Sequence, residues 1–223
     1  QWADTTLFWA TATFVMQPAG FQSLFGDAPE AFVKAFVEDR KAMRVGGTGL
    51  RTPPPEATST LNVFLAQLQR QLATGERIFL FGEQPTVADF SVYHCLWFIR
   101  RATAVAGILD AHPEVVAWMH RVAAFGHSQA QSMTPAEALD IAKAATPRAL
   151  TETNAAFDNT YGLPKGTRVT VAAVDYGVDP VEGDLVVSTR DSVGVLREDA
   201  RVGQVVVHFP RVGYAVRKVE AAG

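Results

Sequence analysis

The spacing of the apolar residues changes once along the chain, and this change restricts the fold to two different kinds of domain. Up to about Ala145 apolar residues recur at helical spacing, whereas after Gly166 they lie in short valine-rich runs separated by glycine and aspartate. The first pattern is typical of helices that bury one face, and the second of a small all-β barrel or sandwich. The sequence therefore predicts an all-α helical bundle at residues 1–146, a linker at 147–166 and a small β-barrel at 167–223.

The apolar stripes and the turn residues predict six helices in the first part and five strands in the second. Pro18 is expected to break the first helix, because proline lacks the N–H that continues the hydrogen-bond ladder. Five short strands favour an SH3-like barrel over a full sandwich. The helices are expected at about 2–16, 29–45, 53–75, 86–106, 112–125 and 134–145.

Charge and composition argue against several classes of function. The formal net charge of -3 gives no reason to expect nucleic acid as a partner, and no apolar run is long enough to predict a membrane span. The single cysteine, Cys95, rules out an internal disulfide and fits a cytoplasmic compartment; we expect it to be a core residue rather than a nucleophile. The five histidines lack the spacing of metal ligands, so we expect no metal.

The segment "PTVADFSVY" carries the strongest local signal in the chain. Thr86 stands directly before a periodic apolar run, and Asp89 follows three residues later. A threonine and a carboxylate at this spacing form an N-capping box, in which each side chain accepts a hydrogen bond from the other residue's backbone N–H. We expect Asp89 to be structural, and its removal to cost on the order of 1–2 kcal/mol.

Two segments in this order resemble a known family. The stretch "FLFGEQPTVADFSVY" at 79–93 and the proline-started helix "HPEVVAWMHRVAA" at 112–124 are similar to the C-terminal helical domain of the glutathione S-transferase superfamily. The resemblance covers roughly residues 1–145. It implies that the capped helix runs through the centre of the domain, and that the complete protein transfers glutathione to a hydrophobic electrophile, commonly as a homodimer.

The resemblance also implies which residues contact the substrate and what is missing. Family members bind glutathione mainly with a thioredoxin-fold domain that also activates the thiol, and no such pattern occurs in this sequence. We therefore assign no catalytic residue here, expect that domain upstream of Gln1, and expect the chain alone to be inactive. The first helix of the helical domain lines the electrophile pocket in the family, which points to Trp2, Thr5, Thr6, Phe8 and Trp9. Aromatic residues at helical spacing are also common in plain cores.

The predicted β-domain has one candidate binding surface and suggests a different function. Basic and aromatic residues cluster near its end and could bind a protein segment, although a solvated face with an aromatic anchor explains them as well. The same helical fold also serves as a non-catalytic interaction or scaffold module, and an SH3-like barrel would suit that role. The clustered residues are His208, Phe209, Arg211, Tyr214 and Arg217.

Overall fold

The computed structural model describes residues 2–74, 77–145 and 157–220. The chain forms two compact units, and neither is continuous in sequence. The first takes in residues 1–38 and 50–130, and the second takes in 39–49 and 131–223. The predicted linker at 147–166 lies partly outside the described residues, so the predicted domain limits remain predictions.

The first unit is a bundle of helices. Its first helix opens with a π-helical turn, Ala3–Leu7, in which the Phe8 N–H donates to the Ala3 carbonyl oxygen. A 3₁₀ segment, Thr103–Leu109, follows α5. The α-helices are α1 (Phe8–Val15), α2 (Pro18–Phe25), α3 (Glu30–Ala42, which extends into the second unit), α4 (Pro54–Ala73), α5 (Val87–Arg101) and α6 (Pro113–Ala123).

Helix α2 was not predicted from the sequence. Pro18 does not simply break the first helix: it occupies the first position of α2, after Gln17 in an extended conformation. Proline is well tolerated there, because the N–H it lacks would have no partner within the helix. The predicted fourth helix is also shorter than expected, since α5 ends at Arg101 and the next residues form the 3₁₀ segment.

Helix α5 supplies the middle of the hydrophobic core of this unit. Its buried residues Val92, Leu96 and Ile99 belong to one cluster with the apolar stripe of α4. That stripe includes Leu61 and Leu65, which are fully buried as the helical spacing predicts. Helices α1 and α6 each contact both α4 and α5. The core is therefore assembled around α4 and α5.

The second unit contains an antiparallel sheet and one exposed helix. The strands are β1 (Arg168–Ala173), β2 (Val181–Ser188), β3 (Ser192–Asp199), β4 (Gly203–Pro210) and β5 (Tyr214–Lys218). They lie in the order β4-β3-β2-β1-β5, so β4 and β5 each pair with one neighbour among the described strands and the sheet is open. The predicted SH3-like barrel is therefore not confirmed. Val169, Val171, Leu185, Val193 and Val195 form the buried core of the sheet. The exposed helix is α7 (Pro135–Ala144).

The carboxylate of Asp89 accepts four hydrogen bonds at the start of α5. One oxygen accepts from the Thr86 N–H at 2.8 Å and from the Thr86 hydroxyl at 2.9 Å. The other accepts from the Leu80 N–H and from the Trp118 indole N–H, both at 2.9 Å. The Asp89 N–H donates to the Thr86 carbonyl oxygen at 3.0 Å. Asp89 is 0% exposed. Its side chain thus joins the 78–82 turn, α5 and α6 from a buried position.

These hydrogen bonds keep a buried carboxylate charged. Burial raises the pKa of Asp89, but the hydrogen bonds from Leu80, Trp118 and Thr86 outweigh it, and the pKa lies below its ordinary value. The turn that Asp89 holds is short: the Phe79 N–H donates to the Gly82 carbonyl oxygen at 2.8 Å. Side chains of α4 and α6 hold it too, since the Gln71 amide donates to Leu80 O at 2.7 Å and Arg121 Nε donates to Ile78 O at 2.9 Å.

We predict that Asp89→Ala lowers the free energy of unfolding by about 3 kcal/mol, because it leaves buried donors of Leu80 and Trp118 without an acceptor. Urea denaturation measures the loss. The chain contains a matched control, since Thr134 and Glu137 form the same kind of capping box on the exposed helix α7. Glu137→Ala should hardly move the unfolding midpoint. Equal effects of the two substitutions would contradict a special role for Asp89.

The lowered pKa of Asp89 predicts a pH dependence of stability. A carboxyl whose pKa is depressed in the folded state stabilises the protein above its unfolded pKa, about 3.9, and this contribution is lost as pH falls through the folded pKa. We expect Asp89→Asn to be less stable than wild type at neutral pH, and the difference to shrink below about pH 4. Denaturant titrations from neutral to acidic pH test this. A difference that stays constant would show that the charge of Asp89 does not contribute.

Candidate functional site

The predicted substrate-contact residues in the first helix lie in different surroundings. Trp2 is 48% exposed and Trp9 only 6% exposed. Thr5 is exposed, whereas Thr6 and Phe8 are half-buried. The structure therefore leaves Trp2, Thr5, Thr6 and Phe8 able to touch a ligand and places Trp9 in the core.

Two neighbouring helices support the aromatic rings of this segment. The Trp2 ring lies 5.1 Å from that of Phe64 on α4. The Phe8 ring stacks on His94 of α5 at 5.9 Å and meets Trp9 edge-on at 5.3 Å. Thr5 and Thr6 lie within the π-helical turn, an irregular geometry that is frequent at functional sites. The segment therefore forms an aromatic wall against α4 and α5, interrupted by threonine hydroxyl groups.

One side of α5 extends this wall along the surface. Positions 87, 90, 94, 97 and 101 follow a spacing of three and four residues, which places them on one face of the helix. We call this face the α5 stripe. Val87 is 81% exposed, and Phe90 and Trp97 are each 47% exposed. The Arg101 guanidinium lies 6.0 Å from the centre of the Trp97 ring. The sequence did not reveal this stripe, because α5 is apolar on nearly every side and such a helix is expected to be buried.

Cys95 lies behind this wall and is completely buried. Its sulfur is 3.5 Å from the Ser91 carbonyl oxygen and 3.7 Å from that of Ala3. Burial and then the nearby Asp4 charge raise the pKa of the Cys95 thiol to about 12. A thiol in this state has almost no thiolate at neutral pH, so Cys95 packs the first helix against α5 and does not act as a nucleophile.

The five predicted surface residues of the β-region do not lie on one face. Phe209 and Tyr214 pack against the sheet core, with ring centres 5.3 Å apart. His208 and Arg217 are exposed. Phe209 and Tyr214 are in phase with core valines on their strands, and this alternation was the signal that separates them from His208 and Arg217.

Arg211 has a different environment from the rest of that group. Its guanidinium donates to the Thr189 carbonyl oxygen and, at 3.1 Å, to the Ser188 hydroxyl. It also lies 3.6 Å from an Asp158 carboxylate oxygen and 4.9 Å from the centre of the Tyr161 ring. Arg211 therefore holds residues 157–161 against the end of β2. These contacts give Arg211 a structural role.

Metal ligation and membrane insertion find no support in the described parts of the chain. Residues 2–74, 77–145 and 157–220 contain no group of three or more histidine, cysteine, aspartate or glutamate side chains that could hold a metal ion. None of the helices described there is both long and apolar enough to cross a membrane.

The comparisons with known proteins agree with this geometry. The family described as "Glutathione S-transferase, C-terminal domain" matches residues 56–121. This range contains α5, most of α4 and α6, and the Asp89–Trp118 hydrogen bond. A solved structure, that of a GST-like protein from Pseudomonas syringae, is similar with 35% sequence identity and a TM-score of 0.76. The similarity covers 98% of this chain but only 66% of that chain. No curated protein sequence matches significantly.

The first unit is thus a helical bundle whose central helix is started by a buried capping carboxylate. Residues 56–121 of this bundle belong to the C-terminal domain family of the glutathione S-transferases. Because the similarity to the Pseudomonas syringae protein covers almost the whole chain, it includes the strands of the second unit as well. The chain nevertheless spans less than the full length of that relative.

We predict that Cys95 does not react with a thiol reagent in the folded protein, because its sulfur is inaccessible and its pKa is about 12. The rate of labelling should follow the rate of unfolding when denaturant is added. A suitable control is Val87→Cys in a Cys95→Ala background, since position 87 is exposed at the start of α5. That thiol should be labelled at once. Rapid labelling of native Cys95 would contradict its assignment to the core.

Proposed function

We propose that this chain is the helical and accessory part of a glutathione S-transferase-like enzyme that transfers glutathione to a hydrophobic electrophile. The observation that carries the proposal is the aromatic wall formed by Trp2, Phe8 and the α5 stripe. This wall faces water, although burying large apolar side chains would lower the free energy. A wall of this kind suits a small apolar substrate.

The residues of this chain would bind and orient the electrophile. Trp2 and Phe8 offer flat apolar surfaces that exclude water from one side of a bound molecule, and the Thr5 and Thr6 hydroxyl groups can form hydrogen bonds with its polar atoms. Glutathione, when bound, supplies the thiol that attacks the electrophile. We place its binding site and the group that activates its thiol in a thioredoxin-fold domain outside these 223 residues. The low pKa of Asp89 and the high pKa of Cys95 support that placement, because neither group can exchange a proton readily at neutral pH.

Two further features belong to this proposal. A homodimer in the cytoplasm is the arrangement that the family resemblance favours. The open sheet favours a second candidate function, a non-catalytic interaction module. Its four consecutive strands form a meander, and β1 also pairs with β5, a connectivity from which a small SH3-like binding barrel can close. In that case the second unit would bind a protein partner while the helical unit serves as a scaffold.

The test needs the longer protein, by which we mean this chain together with the proposed thioredoxin-fold domain. We predict that Trp2→Ala and Phe8→Ala in the longer protein each lower kcat/KM for a hydrophobic aryl halide by about 10-fold. The effect should come mainly from a higher KM, since each substitution removes apolar contact area. Phe32→Ala is a matched control, because Phe32 is 55% exposed on α3. It should leave both constants unchanged. Equal effects of all three substitutions would contradict the assignment of the wall.

The position of the thiol site has its own test. Calorimetry of this 223-residue chain with glutathione should show binding far weaker than that of the longer protein. Binding of equal strength would place the thiol site within this chain. If the longer protein binds no glutathione and turns over no electrophile, the interaction module becomes the better assignment.

A further inference from the structure

Residues 43–49, which follow α3, lie against the segment after β1 inside the second unit. We call residues 43–49 the strap. The Thr48 N–H and hydroxyl donate to the Val174 carbonyl oxygen at 3.0 and 2.9 Å, and the Gly49 N–H donates to that of Asp175 at 2.8 Å. In return, the Gly177 N–H donates to the Met43 carbonyl oxygen at 2.7 Å. Three of these four bonds use only backbone atoms.

Glycine is required where the two segments approach most closely. A Cβ at position 47 would lie 1.9 Å from the Asp175 carbonyl oxygen, a distance that no side chain can adopt. Gly46 and Gly177 have φ angles of +79° and +58°, in the region that glycine adopts without strain. The glycines of the sequence "VGGTG" at 45–49 therefore allow the two backbones to approach closely. The position of this segment after a helix and before prolines did not predict the contact.

The strap begins as a turn at residues 43–46, and its end at Thr48 and Gly49 is bound through backbone N–H groups. Affinity in such pairing comes from main-chain hydrogen bonds, and specificity comes from the side chains that the site can or cannot accommodate. Residue 174 also bonds to the segment before β5, because the Val174 N–H donates to the Gly213 carbonyl oxygen at 3.0 Å. The strap thus hydrogen-bonds to the bend that follows β1, although it comes from a distant part of the sequence.

We propose that residues 174–177 are a docking site for a glycine-containing peptide segment bound through its backbone, and that the strap occupies this site in cis. A protein partner with such a segment would bind only when the strap is released. This inference names the site and the chemistry of a partner for the second unit. The docking proposal does not depend on the thiol chemistry, so an experiment can contradict it without contradicting the transferase assignment.

Hydrogen exchange of the whole chain tests the docking of the strap. In Gly47→Ala we expect the amides of Thr48, Gly49 and Gly177 to exchange at least about 10-fold faster than in wild type, because the new Cβ forces the strap away. The Leu185 amide, which is bonded to Thr167 within the sheet unit, should remain protected. Gly107→Ala is the control, since its Cβ would meet its nearest neighbour at an ordinary 3.5 Å.

Each other result of this experiment decides against the proposal. Unchanged exchange in Gly47→Ala would show that the strap is not held by the close approach. Loss of protection at Leu185 as well would show that the strap is part of the folding core rather than a ligand held in cis. If that variant loses protection throughout the chain, Thr48→Val decides, because it removes only the hydroxyl donor. It should accelerate exchange at residue 48, Gly49 and Gly177 and leave the Leu185 amide protected.

A synthetic peptide tests binding in trans. The peptide Met-Arg-Val-Gly-Gly-Thr-Gly-Leu, which copies residues 43–50, should shift the Gly177 amide resonance of the Gly47→Ala chain towards its wild-type position. A peptide with alanine at its second glycine should not, and neither peptide should affect the wild-type chain. If the first peptide shifts no resonance of residues 174–177 at millimolar concentration, the strap is only an internal contact and the docking proposal is wrong.

Discussion

The Asp89 carboxylate is the interaction on which the helical unit depends. It is completely buried, and a buried charge is costly unless donors surround it. Here the donors come from the 78–82 turn, from the first turn of α5 and from the middle of α6. None of these elements can move without leaving the carboxylate or a donor unpaired. The resulting energetic penalty couples the positions of the turn, α5 and α6, so that the three elements are held together cooperatively.

The position of α5 in turn determines what the first helix can present. With α5 held at its N-terminus, Cys95 packs below the Ala3 carbonyl oxygen and His94 stacks on Phe8. Both contacts act on the π-helical turn and the residue after it, where the candidate ligand contacts lie. The capping carboxylate is not part of the aromatic wall, but it sets the geometry of that wall through the helix that it starts.

Local sequence signals predicted those parts of the fold that local physics determines. The apolar stripe of α4 and the Thr86–Asp89 pair follow from helical spacing and from the unpaired N–H groups of a helix start. The Trp118 partner of Asp89 depends on a contact 29 positions away, which no local pattern contains. Pro18 was ambiguous for a similar reason, because proline both ends one helix and begins the next.

The candidate site shows the same division between local and long-range signals. Asp89 is the carboxyl group with the strongest sequence signal, yet both of its oxygens are occupied and its pKa is lowered. Cys95 is the only thiol, and burial keeps it protonated. Asp89 and Cys95 are thus used here to hold α5 in place. The side chains of α5 that remain exposed include the apolar Val87, Phe90 and Trp97, next to the charged Arg101. Under the proposed function, the apolar part of this surface would bind an apolar molecule and keep water away from it.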